Sequence, residues 1–275
     1  MDRQPTMILR PSRGWRALDL GELWQFRELL LIFAWRDLKV RYRQTFLGAL
    51  WVIGQPALAM LIFTFLFNRV ARFPGPPGVP YPVFVLSGLL MWNFFANGVS
   101  KAGHSLLGQS FLISKVYFPR LIIPLSGMIV EVVDLGVTGL LLAALMIWSG
   151  VVPGLTIVAL PLIVLLAALL AVGLGLWSAA LNVEYRDVRL LIPFLLQLGM
   201  WATPVVYPLS MLPERYRALA MLNPMTGIVE GFRASLFGNA LPYDALLVTA
   251  GITAVVLVTG LYYFRRMERL FADML

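Results

Sequence analysis

The sequence predicts an all-α polytopic membrane protein with six transmembrane helices, and two observations lead to this fold class. Of the 275 residues, 60% are apolar and 13% are charged, whereas soluble domains carry about 25% charged residues. Six apolar stretches are long enough to cross the roughly 30 Å hydrocarbon core of a bilayer as helices. The chain has no cysteine and a single histidine, His104. We therefore expect no disulfide, no metal site and no catalytic residue.

Polar or proline-rich connections separate the six apolar stretches. The predicted spans are residues 46–67, 81–101, 121–148, 155–181, 190–206 and 245–264. The fifth is the shortest and contains Pro193 and Pro204. A kinked helix that faces protein or a water-filled cavity is expected there. No apolar run occurs near the N-terminus, so a cleavable signal peptide is not expected.

Positive charge is unequally divided between the two sides of the membrane. If the N-terminus lies inside, five of the 22 Lys and Arg residues fall outside and the other 17 fall inside. The outer five are Arg69, Arg72, Arg215, Arg217 and Arg233. Because cytoplasmic loops carry an excess of Lys and Arg, both termini are expected in the cytoplasm. The formal charge of +8 then reflects topology, and no nucleic-acid partner is expected.

Two segments have helical patterns but carry too much charge to cross the membrane. Residues 22–43 combine apolar side chains at helical spacing with eight charged residues. This predicts an amphipathic helix at the cytoplasmic surface of the membrane, with a soluble packing helix as the alternative. Residues 211–238 carry five charges and are broken at Asn223 and Pro224, which predicts two short helices that dip into the outer leaflet without crossing it.

Two carboxylates, Glu131 and Asp134, lie one helical turn apart inside the third predicted span. Carboxylates in a membrane span indicate either ion coupling or a buried pair, with a basic residue such as Arg120 or with another helix. Both interpretations stay open at this stage. No Gly-x4-Gly-Lys-Ser/Thr loop occurs in the sequence, so the chain itself is not expected to bind ATP.

Aromatic residues are numerous, with eight Trp, nine Tyr and 17 Phe. Most aromatic residues at the ends of spans are anchors at the membrane interface. Trp201, however, lies in the broken fifth span, with Tyr207 just after it and Trp51 on the first span. Aromatic faces stack on the C–H faces of sugar rings without requiring one register. These three residues are therefore our candidates for a path along which a long glycan slides.

Several sequence blocks resemble the permeases of the ABC-2 polysaccharide exporter family. The blocks are Trp35–Trp51 (WRDLKVRYRQTFLGALW) with Gln55 and Pro56, Lys115–Pro119 (KVYFP), Asn182–Asp187 (NVEYRD), Thr203–Pro208 (TPVVYP), and Asn223–Met225 (NPM) followed by Gly231, Phe232 and Arg233. They occur in the family's order over most of the chain, which is far more specific than one motif. The first block most resembles the lipopolysaccharide O-antigen permeases, with teichoic-acid and capsule exporters as near relatives.

The resemblance implies a homodimer in the bacterial inner membrane that forms a channel for a polysaccharide linked to a polyprenyl pyrophosphate. Two copies of a separate cytoplasmic ATPase would hold ATP and Mg, and this chain would hold no cofactor. Residues 46–275 would form the ABC-2 transmembrane domain, after an N-terminal cytoplasmic segment of residues 1–45. Within these, residues 22–43 would be the interface helix, residues 108–117 the coupling helix and residues 211–238 the external gate helices.

The resemblance also assigns residues to these parts. The expected contacts with the ATPase are Gln109, Phe111, Lys115 and Tyr117, and the expected gate residues are Asn223, Pro224, Glu230 and Arg233. The basic cluster Arg36, Arg41 and Arg43 is expected either to contact the pyrophosphate and lipid headgroups or to act as a topology signal only.

Other functions share some of these features. One alternative is an ABC-2 exporter of teichoic acid, capsule or a small molecule. Another is an ion-coupled secondary transporter that uses Glu131 or Asp134, although no inverted repeat of the kind common in secondary transporters is visible.

Overall fold

A computed structural model describes residues 20–43, 48–73, 75–185, 187–268 and 271, and these residues form helices and loops without a strand. The helices are α1 (Leu20–Gln25), α2 (Arg27–Arg43), α3 (Gly48–Phe63), α4 (Tyr81–Ser105), α5 (Ser110–Lys115), α6 (Ile122–Trp148), α7 (Leu160–Glu184), α8 (Val188–Ala202), α9 (Glu214–Leu222), α10 (Pro224–Phe237) and α11 (Tyr243–Met267). A π-helical turn, Thr64–Val70, extends α3. Short 3-10 turns precede α5, α7 and α9.

Five helical segments among the described residues are long and apolar enough to cross a membrane. They are Trp51–Val70, Tyr81–Ser105, Ile122–Trp148, Leu155–Glu184 and Tyr243–Met267. The predicted class, an all-α polytopic membrane protein, is therefore confirmed.

The fifth predicted span, residues 190–206, differs from the other five. Its helix, α8, has 15 residues, which is about 22 Å of helix. It ends at Ala202 because Pro204 disfavours the helical conformation for the residue before it, and Thr203 is extended with φ −98° and ψ 140°. The count of six spans stays a prediction.

Helix α4 is the centre of the bundle. In the most apolar part of α4, 78% of the residues are buried. In the other four long segments this share is 33% or less. It packs against α3, α6, α7 and α10. Small residues let α7 come close, because a β-carbon on Gly175 would lie 2.5 Å from the β-carbon of Ala102. Such close packing over small residues is typical of membrane helices, whose apolar side chains gain nothing by leaving lipid.

Successive long helices run in opposite directions, so the loops and short helices gather at the two ends of the bundle. At one end, Asn182 of α7 donates a hydrogen bond of 2.8 Å to the carbonyl of Gly103 of α4. Helices α1, α2 and α5 lie here, and we name it the basic end. At the opposite end, the hydroxyl of Tyr81 donates to the carbonyl of Val206 over 2.6 Å. Helices α9 and α10 lie at this opposite end.

The predicted N-terminal helix is interrupted at Phe26, between α1 and α2. Phe33 and Ala34 of α2 are buried, and the ring of Phe33 packs edge-on against Phe118 at 5.9 Å. Leu31 and Trp35 remain exposed. One side of α2 therefore packs on the bundle while apolar side chains on another side are left for lipid. Its position at a membrane surface stays a prediction.

Candidate functional site

A cavity of about 870 Å³ lies between α2, α3, α4 and α6, towards the basic end. We name it the inner cavity. The polar side chains that line it are Arg41, Gln55, Asn93, Asn97, Ser100, Lys101, Glu131, Asp134 and Thr138. Its apolar wall includes Trp51 and Pro56 of α3 and Phe94 of α4.

The two intramembrane carboxylates are buried in the wall of this cavity. Arg41 of α2 lies 3.2 Å from Glu131 and 2.7 Å from Asp134, measured between its guanidinium nitrogens and the carboxylate oxygens. The ammonium of Lys101, on α4, contacts Glu131 as well. Two cations therefore balance two carboxylates, and the cluster is electrically neutral.

Of the pairings that the sequence left open, the structure shows the one with other helices and not the one with Arg120. Arg120, the basic residue suggested by its position, instead donates to the backbone carbonyl of Glu268. The true partners are 90 residues and 30 residues away from Glu131 along the chain, on α2 and α4. Local spacing within one helix could not indicate them.

Tyr42 adds a third contact between α2 and α6. Its hydroxyl donates a hydrogen bond to Asp134. Burial, and then the hydrogen bond to Asp134, raise the pKa of Tyr42 well above its ordinary value. The hydroxyl therefore keeps its proton at neutral pH and stays a donor to the carboxylate.

Two residues of the predicted basic cluster, Arg36 and Arg41, form ion pairs within the chain. Arg36 is exposed and pairs with Asp37 over 2.8 Å, and Arg41 pairs with the carboxylates of α6. The side chain of Arg43 lies outside the described part of the structure.

The three aromatic candidates occupy two different places. Trp51 lines the inner cavity. Trp201 packs edge-on against Phe63, with 6.1 Å between the ring centroids, and its carbonyl accepts a hydrogen bond of 3.1 Å from the hydroxyl of Tyr207. Phe63 lies twelve residues after Trp51, which is about 18 Å along a helix. The structure thus brings Trp201 and Tyr207 together at the opposite end and leaves Trp51 apart.

The predicted coupling segment forms a short turn and α5, and two of its aromatic side chains are exposed. Phe111 is 71% exposed and Tyr117 is 60% exposed. The ammonium of Lys115 lies 5.2 Å from the centre of the Phe111 ring, and the Tyr117 hydroxyl donates to Glu22 of α1 over 3.1 Å. The side-chain oxygen of Gln109 is buried. Exposed aromatic side chains grouped on one loop are typical of a protein interaction surface.

At the opposite end, α9 and α10 meet at Asn223. The side-chain oxygen of Asn223 caps α10 by accepting a hydrogen bond from the amide of Met225, and Pro224 occupies the first helical position, where its missing amide costs nothing. The side-chain nitrogen of Asn223 donates to the hydroxyl of Thr203 over 2.8 Å. Asn223 therefore ties the start of α10 to the end of α8.

Among the described residues at this end, Arg233 is the most deeply buried charged residue, with 3% of its surface exposed. Its guanidinium donates to the backbone carbonyls of Phe84, Pro204 and Val205. It also pairs with Glu230 over 3.1 Å and lies 3.6 Å from the centre of the Phe84 ring. Arg233 thus holds the loop after α8 against the start of α4.

Sequence reasoning missed several residues that complete these two sites. Gly88 makes room for Arg233, because a β-carbon there would lie 2.5 Å from the Arg233 guanidinium. Asn93, Asn97 and Lys101 repeat every four residues along an apolar helix. This spacing places them on one face, and it was the signal that could have indicated the inner cavity. Among the described residues, no group of three His, Cys, Asp or Glu side chains could hold a metal ion.

Comparison with known proteins places the chain in a family. The family model for ABC-2 type transporters matches residues 28–237. The O-antigen export system permease protein RfbA of Myxococcus xanthus is 33% identical over 92% of this chain and 97% of that protein. The RfbA protein of Klebsiella pneumoniae is 29% identical over 94% and 97%. The polysialic acid transport protein KpsM of Escherichia coli is 25% identical over 85% and 91%.

The family match spans the chain from α2 to the end of α10, and so includes both the inner cavity and the Arg233 network. It covers well over half of the chain. The chain belongs to the ABC-2 type transporter family.

Proposed function

We propose that this chain is the permease subunit of an ATP-driven exporter of lipid-linked polysaccharide, with O-antigen as the cargo. The observation that carries the proposal is the similarity, almost from end to end, to two permeases named for O-antigen export. A relative named for polysialic acid transport extends the same role to another polysaccharide. Export of teichoic acid, capsule or a small molecule is the alternative within the family.

The proposed topology has six spans in the inner membrane, with α8 as the fifth and both termini in the cytoplasm. The excess of Lys and Arg on the basic end supports this orientation. Helix α8 starts after Asp187 at the basic end and reaches Trp201, whose ring contacts Phe63 at the far end of α3. These two positions support α8 as a spanning helix in spite of its short length. Helices α9 and α10 then form an external gate without crossing.

The exposed segment around α5 is the proposed coupling helix for a cytoplasmic ATPase. Phe111, Lys115 and Tyr117 provide aromatic and cationic surface for the partner, and Gln109 precedes them. The Tyr117–Glu22 hydrogen bond would pass a displacement of this segment on to α1. In the proposed complex, two copies of the permease form the channel, and two ATPase subunits bind ATP and Mg.

The polyprenyl pyrophosphate is proposed to approach the basic cluster Arg36, Arg41 and Arg43 at the membrane surface. Since Arg41 already pairs with Glu131 and Asp134, an anionic headgroup would have to compete with two carboxylates for it. Ion-coupled transport is less well supported than ATP-driven export, because the carboxylates that it needs are each paired with a cation.

The proposal is tested by deleting the gene and restoring it with and without the partner ATPase gene. Loss of surface polysaccharide, with lipid-linked polymer accumulating inside the cell, is the expected result, and only the two genes together should restore export. Normal surface polysaccharide in the deletion strain would rule the proposal out. A small-molecule exporter would instead leave the glycan unchanged and alter resistance to the exported compound.

A further inference from the structure

The inner cavity contains amide side chains that make no hydrogen bond to any other described residue. They are Gln55 of α3 and Asn93 and Asn97 of α4. Gln55 and Asn97 are exposed, and Asn93 is half-buried. Each carries two donors and an acceptor, so the cavity offers hydrogen-bonding capacity that the chain itself does not use.

These amides lie on membrane-spanning helices, where hydrocarbon cannot satisfy them. An amide without a partner in an apolar medium is costly, and lipid-facing polar groups are accordingly avoided. Because Asn93 and Asn97 lie on one face of α4, that face has to meet water or a polar ligand. Both side chains line the inner cavity, which agrees with this requirement, and Lys101 on the same face already pairs with Glu131.

The charge of the cavity limits the kind of ligand. Arg41 and Lys101 are matched by Glu131 and Asp134 within the wall, so there is no surplus positive charge to attract a phosphate or pyrophosphate. Neutral hydroxyl groups, which both donate and accept, suit the amides without meeting a net charge. Trp51 is 61% exposed and adds an aromatic face to the same cavity.

We propose that the inner cavity binds neutral sugar units of the exported glycan, with Gln55, Asn93 and Asn97 bonding to ring hydroxyls and Trp51 stacking on a ring face. This assignment rests on the proposed function and gives its cargo a holding site within a single protomer. The volume of about 870 Å³ lies within the roughly 300–1,000 Å³ of small-ligand pockets. A short run of sugar rings therefore fits.

Photo-crosslinking in cells tests the site directly. A photoreactive phenylalanine analogue is introduced at Asn97, and at Leu140 of α6 as the control, since Leu140 is exposed outside the cavity lining. The probe is the cell's own lipid-linked glycan, labelled with a radioactive sugar. We expect a labelled adduct from position 97 and none from position 140. A position-97 adduct with a second copy of the chain or with unlabelled lipid, or equal labelling at both positions, would overturn the assignment.

Alanine variants separate this site from the broader function. Gln55→Ala and Asn97→Ala should each lower the rate of glycan export about threefold to tenfold, which is the loss of one hydrogen bond. Membrane levels should be unchanged because both side chains are exposed. Asn239→Ala, in an exposed loop, is the matched control.

The two possible failures differ in their readout. If deletion of the gene abolishes surface glycan but both variants export at the wild-type rate, the cavity site is wrong and the exporter function stands. If deletion leaves the surface glycan intact, the exporter function fails and the site fails with it.

Discussion

Arg233 and Arg41 are the centres of polar networks at the two ends of the bundle, and their partners differ in kind. Arg233 is 3% exposed and donates to three backbone carbonyls. The side chain of Arg41 is 31% exposed and binds two side-chain carboxylates on another helix. Both networks join segments that are distant in sequence.

This difference indicates that the Arg233 network is rigid and that the Arg41 network can rearrange. Backbone carbonyls move only with the main chain that carries them, so releasing Arg233 requires the loop after α8 to separate from α10. Carboxylates can rotate, and water can reach the partly exposed arginine, so Arg41 can exchange between Glu131 and Asp134 without a movement of the backbone. We therefore expect the Arg233 end to act as a rigid anchor and the Arg41 end to tolerate movement of α2.

The largest predicted effect is the loss of the Arg233 network. Arg233→Ala leaves the buried carbonyls of Pro204 and Val205 without the donor that they have in the wild type, so the free energy of unfolding should fall by about 3–5 kcal/mol. The melting temperature in detergent and the level in membranes measure this. Arg215→Ala is the control, since Arg215 is exposed, and it should change stability by less than about 0.5 kcal/mol. Equal melting temperatures for the two variants would contradict the anchor.

A smaller effect is expected when the space for Arg233 is filled. In Gly88→Ala, the new β-carbon would lie 2.5 Å from the Arg233 guanidinium and closer still to the Val205 carbonyl. Overpacking of this kind should cost about 1–3 kcal/mol. Gly136→Ala has no atom within 4 Å of the new β-carbon and should stabilise helix α6 by about 0.5–1 kcal/mol. Thermal unfolding of both variants gives the comparison, and a stabilising Gly88→Ala would be the contrary result.

The ion pair between Arg41 and Asp134 should contribute a smaller but measurable interaction energy. A double-mutant cycle with Arg41→Ala and Asp134→Ala should give an interaction energy of about 1–2 kcal/mol, reduced by the partial exposure of Arg41. Thermal unfolding of the four proteins yields this energy, and export in cells shows whether movement of α2 depends on the pair. Strictly additive effects would mean that the two side chains do not stabilise each other.

The smallest effect is predicted for the link between α1 and the coupling segment. Tyr117→Phe removes one exposed hydrogen bond to Glu22. The amount of glycan exported per ATP hydrolysed should therefore fall by about threefold at most. Tyr243→Phe, at the opposite end, is the control. Burial, and then the charge of Glu22, raise the pKa of Tyr117. The hydroxyl therefore stays protonated, and the wild-type coupling ratio should be the same at pH 7 and pH 9. A marked fall by pH 9 would contradict this.

The sequence was a good guide to the fold because hydropathy records directly which segments can lie in lipid. Five long apolar stretches and the break at Asn223 were visible in this way. The early end of α8 was less visible, since the apolar pattern continues through Thr203 while Pro204 changes the backbone there. The partners of Glu131 were not visible at all, because ion pairs across 90 residues depend on how helices pack and leave no local period.

The neutral cluster also has a consequence for how the chain is made. Arg41 and Lys101 precede Glu131 and Asp134 in the sequence, so both cations are synthesised before the third long helix emerges. Unpaired carboxylates would oppose the transfer of that helix into the bilayer. Because Arg41 and Lys101 are synthesised first, α6 can enter the membrane against α2 and α4 with its carboxylates paired. The order of synthesis thus favours the assembly of this half of the bundle.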